Sequence, residues 1–416
     1  MSTSTTAELA HTDGTTAAAA KKELGAIAAW LLVCCALIFL MVVIGGVTRL
    51  TLSGLSITEW KPVVGVLPPL SAADWAAEFT KYQQIPEYRT VHFGMTLDEF
   101  KAIYFWEYLH RLLGRLIGVA YAAPFAWFLV RRQLPRSLAP PLATILLLGI
   151  GQGVLGWYMV ESGLADRVQV SQYRLVAHLA LALLIYSVIL WVALGIVNGL
   201  PLSIQEAPMA GLDPATHVSH HAGICVGGHG TTPWAEGPRA KPGHGAVMCR
   251  ESPRLVVEAP PGWRRAAEAV IVLVAVTIAA GGFVAGTRAG LIYNTFPLMD
   301  GSVVPADYAR LHPLFLNWFE NVAAVQFDHR VLALATTVSV VLVWAAGLRA
   351  ALPRPCRLAL HALLAAAALQ AALGITTLVL VVPIPLAVAH QAGAIVLLTT
   401  ALVLRHTMRG ARRRRP

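Results

Sequence analysis

Apolar stretches of membrane-crossing length recur along this chain, and they restrict its fold more than any other feature of the sequence. A helix that crosses a bilayer needs about 20 predominantly apolar residues. Eight stretches meet this requirement, near residues 26–48, 103–130, 137–160, 171–198, 266–286, 319–347, 357–381 and 386–405. A transmembrane β-barrel would instead show short segments of alternating polarity. The sequence therefore predicts an all-α integral membrane protein with eight transmembrane helices.

The composition agrees with a membrane protein and disfavours nucleic-acid binding. Of the 416 residues, 56% are apolar and 13% are charged, whereas soluble domains are about a quarter charged. The net charge of +10 comes mainly from Lys and Arg between the spans and in the tail RGARRRRP. Basic flanks stay on the cytoplasmic side of a membrane. With eight spans these flanks share one side, so we expect both termini in the cytoplasm.

The chain is an internal duplication of a four-helix unit. The long outer loops, about 49–101 and 287–318, each precede a span with a His-Arg pair, in EYLHRLLGRL and QFDHRVLALA. Two spans later come LVAHLALALLIY and AVAHQAGAIVLL. Chance similarity between apolar helices is the alternative, but the same residues recur in the same order. We therefore predict two pseudo-symmetric four-helix bundles.

This repeat predicts five segments. They are a cytoplasmic tail (1–25), an N-terminal bundle (26–198), a linker (199–265), a C-terminal bundle (266–405) and a basic cytoplasmic tail (406–416). The linker is rich in Gly, Pro and His, a composition that predicts a flexible segment. Metal binding by its histidines and cysteines is the alternative, although their spacing matches no structural zinc site.

Four histidines occupy equivalent positions in the two halves, namely His110, His178, His329 and His390. At 1.5 Å per residue they lie roughly 6–15 Å below the outer end of their spans. An intramembrane histidine is costly unless it is paired, liganded or beside a cavity. Two facing histidines in a bundle can supply the axial nitrogens of a haem iron. We favour one haem per half over packing roles for all four residues.

Five arginines near the outer ends of the helices fit this interpretation. They are Arg49, Arg111, Arg174, Arg288 and Arg330. Arginine pairs with carboxylates in a bidentate manner, so these residues are candidates to bind haem propionates. Anchoring of helix ends at the membrane interface is the alternative for each of them.

The duplication breaks at one position. Glu107 precedes His110 by three residues and shares its helix face, whereas Gln326 occupies the equivalent position before His329. A carboxylate beside a haem edge can accept a proton, stabilise positive charge or act as a nucleophile. We therefore expect the reaction in the N-terminal half and a redox cofactor in the C-terminal half. Hydrogen bonding by Glu107 at the end of the span is the alternative.

Taken together, these motifs resemble the haem A synthase family. The resemblance rests on GGVTRLTLSGLSITEWKPVVGVLPP, EYLHRLLGR, QYRLVAHL, GTRAGLIYNTFPLMDG, QFDHR and VAHQ, and it covers nearly all of the chain outside residues 1–20 and 199–265. It implies oxidation of the C8 methyl of haem O to a formyl group, giving haem A for cytochrome c oxidase. It also implies that His110 and His178 flank the iron of the substrate haem O, and that Glu107 is the functional acid. The axial ligands of a haem b cofactor would be His329 and His390.

The resemblance has further implications for location and partners. It implies a bacterial inner-membrane enzyme that works with a haem O synthase and an electron acceptor, and it leaves a homo-oligomer open. The outer loops lack the cysteine pair of some members, so a mechanism that needs such a pair does not apply. The main rival is a non-enzymatic di-haem cytochrome. That function favours haems near opposite membrane faces, whereas these histidines all lie near one face.

Overall fold

The computed structural model describes residues 5–60, 64–166, 170–199 and 261–409, and these residues form helices joined by turns and loops. The α-helices are α1 (Thr5–Leu50), α2 (Ala72–Tyr82), α3 (Pro86–Thr90), α4 (Leu97–Val130), α5 (Ala139–Asp166), α6 (Gln172–Val197), α7 (Pro261–Thr287), α8 (Asn317–Glu320), α9 (Val322–Arg349), α10 (Arg354–Val379) and α11 (Ile384–Thr407).

Eight of the helices in the described part of the chain are long and apolar enough to cross a membrane, which confirms the predicted all-α membrane class. They are α1, α4, α5, α6, α7, α9, α10 and α11. Helix α4 begins earlier than the predicted span because Thr96 and Glu99 form a reciprocal capping box at its start. Helix α1 likewise begins at Thr5, inside the segment predicted as the N-terminal tail. Most of the predicted linker and of the basic tail lies outside the described residues.

The helices of the two halves pack in the same cyclic order. In the N-terminal half α1 contacts α4 and α6, and α5 contacts the same two helices. In the C-terminal half α7 contacts α9 and α11, and α10 contacts the same two helices. The halves meet through α6 with α7, α1 with α11, and α6 with α11. The pseudo-symmetry of the two bundles in space stays a prediction.

Helices α1 and α6 lie at the centre of the fold, while α5 lies at its edge. Half of the most apolar segment of α1 and of α6 is buried, against 6% for α5. The core around α1 includes Ile27, Leu31 and Cys34. Large apolar side chains such as Leu147 on α5 are exposed, as expected for a surface that faces lipid. The central position of α1 places its residues next to both halves.

The first outer loop folds into a small cap that the sequence did not reveal. Helices α2 and α3 pack on the start of α4 through an aromatic cluster built around Tyr82, Phe100 and Tyr104. A capping box between Ser71 and Asp74 starts α2. In the second outer loop, between α7 and α9, the described α-helix is the single turn α8. The two outer surfaces of the protein therefore differ more than the repeat suggests.

Candidate functional site

The four predicted histidines lie on the second and fourth membrane helices of each half. His110 is on α4, His178 on α6, His329 on α9 and His390 on α11. The ring of His110 interacts electrostatically with that of His178, and the ring of His329 with that of His390. The structure thus brings together one pair of histidines in each half, and haem binding by either pair stays a prediction.

Each histidine ring rests against a glycine of a neighbouring helix. A Cβ atom added to any of these glycines would crowd Cε1 of the ring, so a larger residue would displace it. The pairs, with the distance from that Cβ position to Cε1, are Gly45 and His110 (2.9 Å), Gly156 and His178 (3.1 Å), Gly281 and His329 (3.0 Å), and Gly374 and His390 (2.8 Å). We call these four glycines the histidine seats. The sequence analysis missed them, although each lies on the helix just before its histidine-bearing helix in the order of membrane spans.

The ring nitrogens of the four histidines have a common environment. Every Nδ1 atom is buried without a hydrogen-bond partner. No Nε2 atom of these rings is buried in the same way, and each residue keeps some accessible surface. A buried nitrogen without a hydrogen-bond partner costs free energy. Four such nitrogens at equivalent positions are therefore unusual. Nε2 is therefore the candidate nitrogen for a ligand, because every Nδ1 atom is buried.

The donor set fits a metal that brings its own equatorial ligands. Among the residues described, no group of three or more His, Cys, Asp or Glu side chains could hold a metal ion. Two imidazoles alone leave most coordination positions of an iron or zinc ion unfilled. An iron porphyrin supplies four equatorial nitrogens and takes two axial histidines. The paired histidines in each half therefore suit haem better than a bare ion.

A glutamine on the preceding helix supports the second histidine of each half. Gln152 on α5 donates from Nε2 to the carbonyl oxygen of His178 over 3.0 Å. Gln370 on α10 makes the same bond to the carbonyl oxygen of His390, also over 3.0 Å. These bonds tie each histidine-bearing helix to the helix that carries its seat. Both glutamines were missed at the sequence level, because a single glutamine in an apolar helix gives no spacing signal.

Glu107 is buried, with 3% of its surface exposed, and it holds the first outer loop. Its Oε2 accepts hydrogen bonds from the Ser56 hydroxyl and from the Ile57 amide, each over 2.8 Å. Its Oε1 forms an ion pair with Arg111 over 2.6 Å. Arg111 also donates to the carbonyl oxygens of Ile57 and Glu59. The two side chains together bind the segment from Ser56 to Glu59.

The equivalent pair in the C-terminal half holds the second outer loop. Gln326 donates from Nε2 to the carbonyl oxygens of Ala289 and Ile292, over 2.9 and 2.6 Å. Arg330 donates to the carbonyl oxygen of Tyr293 over 2.6 Å and to Oε1 of Gln326. The loop over Glu107 presents an N–H and a hydroxyl, while the loop over Gln326 presents carbonyls. Loop contacts thus account for part of the Glu-to-Gln difference that the sequence analysis read as chemical.

The other three arginines lie in different environments. Arg49 donates to the carbonyl oxygens of Ala285 and Gly286 at the end of α7. Arg174 donates to the hydroxyl of Ser162 and stacks on the ring of Tyr158, 4.5 Å from its centroid. Arg288 follows α7 in a left-handed conformation with φ of 57°. Propionate binding by any of the five arginines stays a prediction.

A second buried acid, Glu87, lies in the cap at the N-terminal half. It is 5% exposed and belongs to α3. Burial, together with the charge of Glu107, raises its pKa to about 8, against the opposing effect of Arg49 and Arg288. The Nδ1 atom of His92 is 3.9 Å from Oε1 of Glu87. Glu87 escaped the sequence analysis because an isolated acid in a polar loop gives no sign of burial.

His92 links Glu87 to the aromatic cluster of the cap. The hydroxyl of Tyr82 shares a hydrogen bond of 2.5 Å with Nδ1 of His92. Burial and the charge of Arg288 lower the pKa of His92. Burial, with smaller effects from Glu87 and Glu107, raises the pKa of Tyr82. The cap therefore holds an acid, an imidazole and a phenol in their uncharged forms near the start of α4.

Comparisons with known proteins match the chain along most of its length. The profile of the COX15-CtaA family, described as "Cytochrome oxidase assembly protein", matches residues 28–227 and 244–402. A curated protein named "Heme A synthase" from Nitrosospira multiformis is 45% identical over 383 residues, covering 92% of this chain and 93% of its own. Proteins of the same name from Nitrosomonas eutropha and Rhodospirillum centenum are each 46% identical, covering 90% and 92% of this chain and 92% and 88% of their own.

The raised pKa of Glu87 predicts a specific dependence of stability on pH. In the folded protein this carboxyl stays protonated up to about pH 8, whereas a free glutamate ionises near its ordinary pKa of 4.5. The folded state therefore binds more protons in this window, and the free energy of unfolding falls as the pH rises through it. Glu87→Gln removes the titration. We expect thermal unfolding in detergent to show the wild type losing stability relative to Glu87→Gln between about pH 5 and pH 8.

Asp98→Asn is the matched control for this measurement. Asp98 is an exposed acid at the start of α4, with 90% of its side chain accessible. Its replacement should leave the pH dependence of the wild type unchanged. Parallel curves for the wild type and Glu87→Gln would contradict the assigned protonation of Glu87.

Proposed function

The chain belongs to the COX15-CtaA family of cytochrome oxidase assembly proteins, and we propose that its two histidine sites serve the conversion of haem O to haem A. The protein is an oxidoreductase of the haem A synthase type. The observation that carries the assignment of its sites is the fourfold arrangement of histidines on glycine seats. This arrangement supports one haem between two histidines in each half. A role as a non-enzymatic di-haem cytochrome is not favoured, because the curated relatives carry the name of an enzyme.

The N-terminal half is proposed as the substrate site. His110 and His178 would bind the iron of haem O through their Nε2 atoms, one on each face of the ring. Their seats, Gly45 and Gly156, set how closely each imidazole approaches the neighbouring helix. Binding the iron from both faces would fix the plane of the substrate, and contacts with its propionates would set the direction of its C8 methyl. Such positioning is itself a large part of enzymatic rate acceleration.

The C-terminal half is proposed to hold haem b through His329 and His390. Haem b would supply a one-electron redox centre next to the substrate site. The residues fit this cofactor because they repeat the seats and the free Nε2 atoms of the other half. Gln326 carries no charge and is bonded to loop carbonyls. This half therefore has no acid at the position of Glu107, as suits a site that transfers electrons only.

Glu107 is proposed as the acid of the substrate site. It is buried and lies one turn before His110 on α4. Its carboxylate would act as a proton acceptor, as a counter-charge to a cationic intermediate or as a nucleophile. The ion pair with Arg111 holds its side chain in one position. Holding the loop from Ser56 to Glu59 over the site is its second role.

The arginines are proposed to bind the haem propionates at the outer ends of the helices. Arg49, Arg174 and Arg288 are three of the candidates. Arg111 and Arg330 donate mainly to loop carbonyls. We therefore assign these two to closing the outer loop of each half over the propionate end. All five would contribute to a positive field there.

Function is tested by haem extraction and chromatography after co-expression with a haem O source. We expect haem A to accumulate with the wild type. We expect Glu107→Gln to retain haem but to lower haem A production about 100-fold or more, since general acid–base groups contribute at least that much. The substitution keeps the size of the side chain and copies Gln326 of the other half.

Glu59→Gln is the matched control for Glu107→Gln. Glu59 belongs to the same loop, its carboxylate pairs with Lys81, and its backbone oxygen accepts a hydrogen bond from Arg111. Limited proteolysis of the loop separates the two roles of Glu107: an intact loop with lost activity supports the chemical role. Normal haem A production by Glu107→Gln would show that Glu107 is not the acid of this reaction.

The two-site assignment predicts that the histidine pairs differ in their spectral effects. His329→Ala or His390→Ala should abolish the low-spin haem b spectrum of the purified protein, because a low-spin iron needs two strong axial ligands. His110→Ala should keep that spectrum and lose haem A production. Reduced-minus-oxidised optical spectra provide the measurement. A haem b spectrum that survives in both His329→Ala and His390→Ala would refute the assignment.

The protein is a multi-pass bacterial membrane protein, and we propose that both termini are cytoplasmic. Basic residues flank the spans on the side of both termini. Segments 199–265 and 406–416 would then also lie in the cytoplasm. A haem O synthase and an electron acceptor are its proposed partners, with membrane lipid around the helices.

The proposed orientation is checked with reporter fusions at the C-terminus. A fluorescent protein that folds only in the cytoplasm should be active there, and alkaline phosphatase, which needs the periplasm, should be inactive. The same fusions placed after residue 310, in the second outer loop, should give the opposite result. Phosphatase activity at the C-terminus would reverse the topology.

A further inference from the structure

The first membrane helix of each half carries a pair of adjacent glycines that face two different sites. In α1, Gly45 is the seat of His110, and Gly46 contacts the side chain of Gln391 on α11. A Cβ atom on Gly46 would collide with the amide of Gln391. Helix α1 therefore contacts a histidine of its own half through Gly45 and a helix of the other half through Gly46.

The same arrangement recurs in the opposite direction. In α7, Gly281 is the seat of His329, and Gly282 contacts Val176 and Leu179 on α6. Leu179 directly follows His178, just as Gln391 directly follows His390. Gln391 of the C-terminal half therefore lies next to the seat of His110, and Leu179 of the N-terminal half lies next to the seat of His329. Two short routes thus connect the histidine sites across the interface.

The two routes differ in chemistry. Gln391 donates from Nε2 to the carbonyl oxygen of Val42 on α1 over 2.8 Å. Val42 lies one helical turn before Gly46, so this bond fixes α11 against the part of α1 that carries the seat of His110. The route through Leu179 consists of apolar contacts only. A directional hydrogen bond restrains the relative rotation of two helices more than an apolar contact does.

The seats matter because they limit the positions that the histidine rings can take. A metal-binding histidine normally donates its second ring nitrogen to a fixed partner, which sets the orientation of the ring. The Nδ1 atom of His110 is buried without such a partner. Contact with Gly45 therefore helps to orient this ring, so a small shift of α1 changes the geometry available to an iron at His110.

We propose that Gln391 couples the two sites, so that haem b bound at His390 increases the affinity of the N-terminal half for haem O. The inference rests on the proposed function of the two sites. Haem b fixes α11 through His390, Gln391 transmits this position to α1, and α1 presents the seat on which His110 meets the substrate iron. Coupling of this kind is reciprocal, so haem O in the N-terminal half also affects haem b. Gln391 is a positioning residue for the reaction.

The test uses purified full-length protein that holds haem b, titrated with haem O in the absence of an electron acceptor. Haem O binding gives the dissociation constant, and the optical band and midpoint potential of haem b report the reciprocal effect. For the wild type we expect haem O to shift the band or the potential of haem b. For Gln391→Leu, which copies Leu179, we expect about tenfold weaker haem O binding and no such shift, with haem b content unchanged.

Thr399→Val is the matched control. The hydroxyls of Thr399 on α11 and Tyr186 on α6 share a hydrogen bond of 2.8 Å between the halves, away from the four seats. This variant also removes one polar contact between the halves, and it should behave as the wild type in both readouts. If Gln391→Leu loses haem b, Gln391→Met, which keeps an unbranched side chain of similar length, replaces it in the same titration.

The outcomes separate this inference from the function on which it rests. Wild-type affinity for haem O and an unchanged haem b shift in Gln391→Leu or Gln391→Met would overturn the coupling and leave the haem sites intact. Equal losses in Thr399→Val would also overturn it, because any contact between the halves would then suffice. A wild type that bound no haem b would overturn the proposed function itself, and the coupling with it.

Discussion

The interior of a bilayer contains no water to satisfy a polar group, and this constraint governs every polar residue in the spans of this protein. The outer ends of α4 and α9 resolve it by the same device, in which a residue and the arginine four positions later bind the loop above them. In the N-terminal half these are Glu107 and Arg111, and in the C-terminal half Gln326 and Arg330. The Nδ1 atoms of the four histidines remain without partners. The polar side chains at these helix ends thus bind the outer loops, and the proposed ligand sites use the histidines.

The proposed division of labour between the halves rests on more than one residue. Glu107 is the visible break in the repeat, but the cap built from α2 and α3 adds the buried Glu87 to the same half. In the second outer loop the described α-helix is the single turn α8. Glu107 is paired with Arg111, whereas burial raises the pKa of Glu87, so the two acids of this half have different surroundings. This difference supports the proposal that acid chemistry belongs to the N-terminal half.

Much of this architecture could be predicted from the sequence, because membrane spans and repeated motifs are local signals. The eight helices and the positions of His110 and its three equivalents follow from hydropathy and repetition. The seats could not be predicted, since Gly45 meets His110 only after α1 packs on α4, and glycines are common in membrane helices. The burial of Glu87 likewise arises from the folding of a polar loop onto α4. The contrast between Glu107 and Gln326 could be seen in the sequence. Its link to the loop could not, because it depends on contacts between residues about 50 positions apart.

The contact between α1 and α11 also has a consequence for the synthesis and membrane insertion of the protein. Gln391 belongs to the last membrane helix, whereas the seat beside it belongs to the first. Because α1 is synthesised well before α11, the N-terminal bundle can insert into the membrane before the C-terminal bundle has been made. Until then the first helix lacks the partner that fixes it. If Gln391 positions α1 as proposed, the substrate site would reach its final geometry only after α11 has been made and has packed against α1.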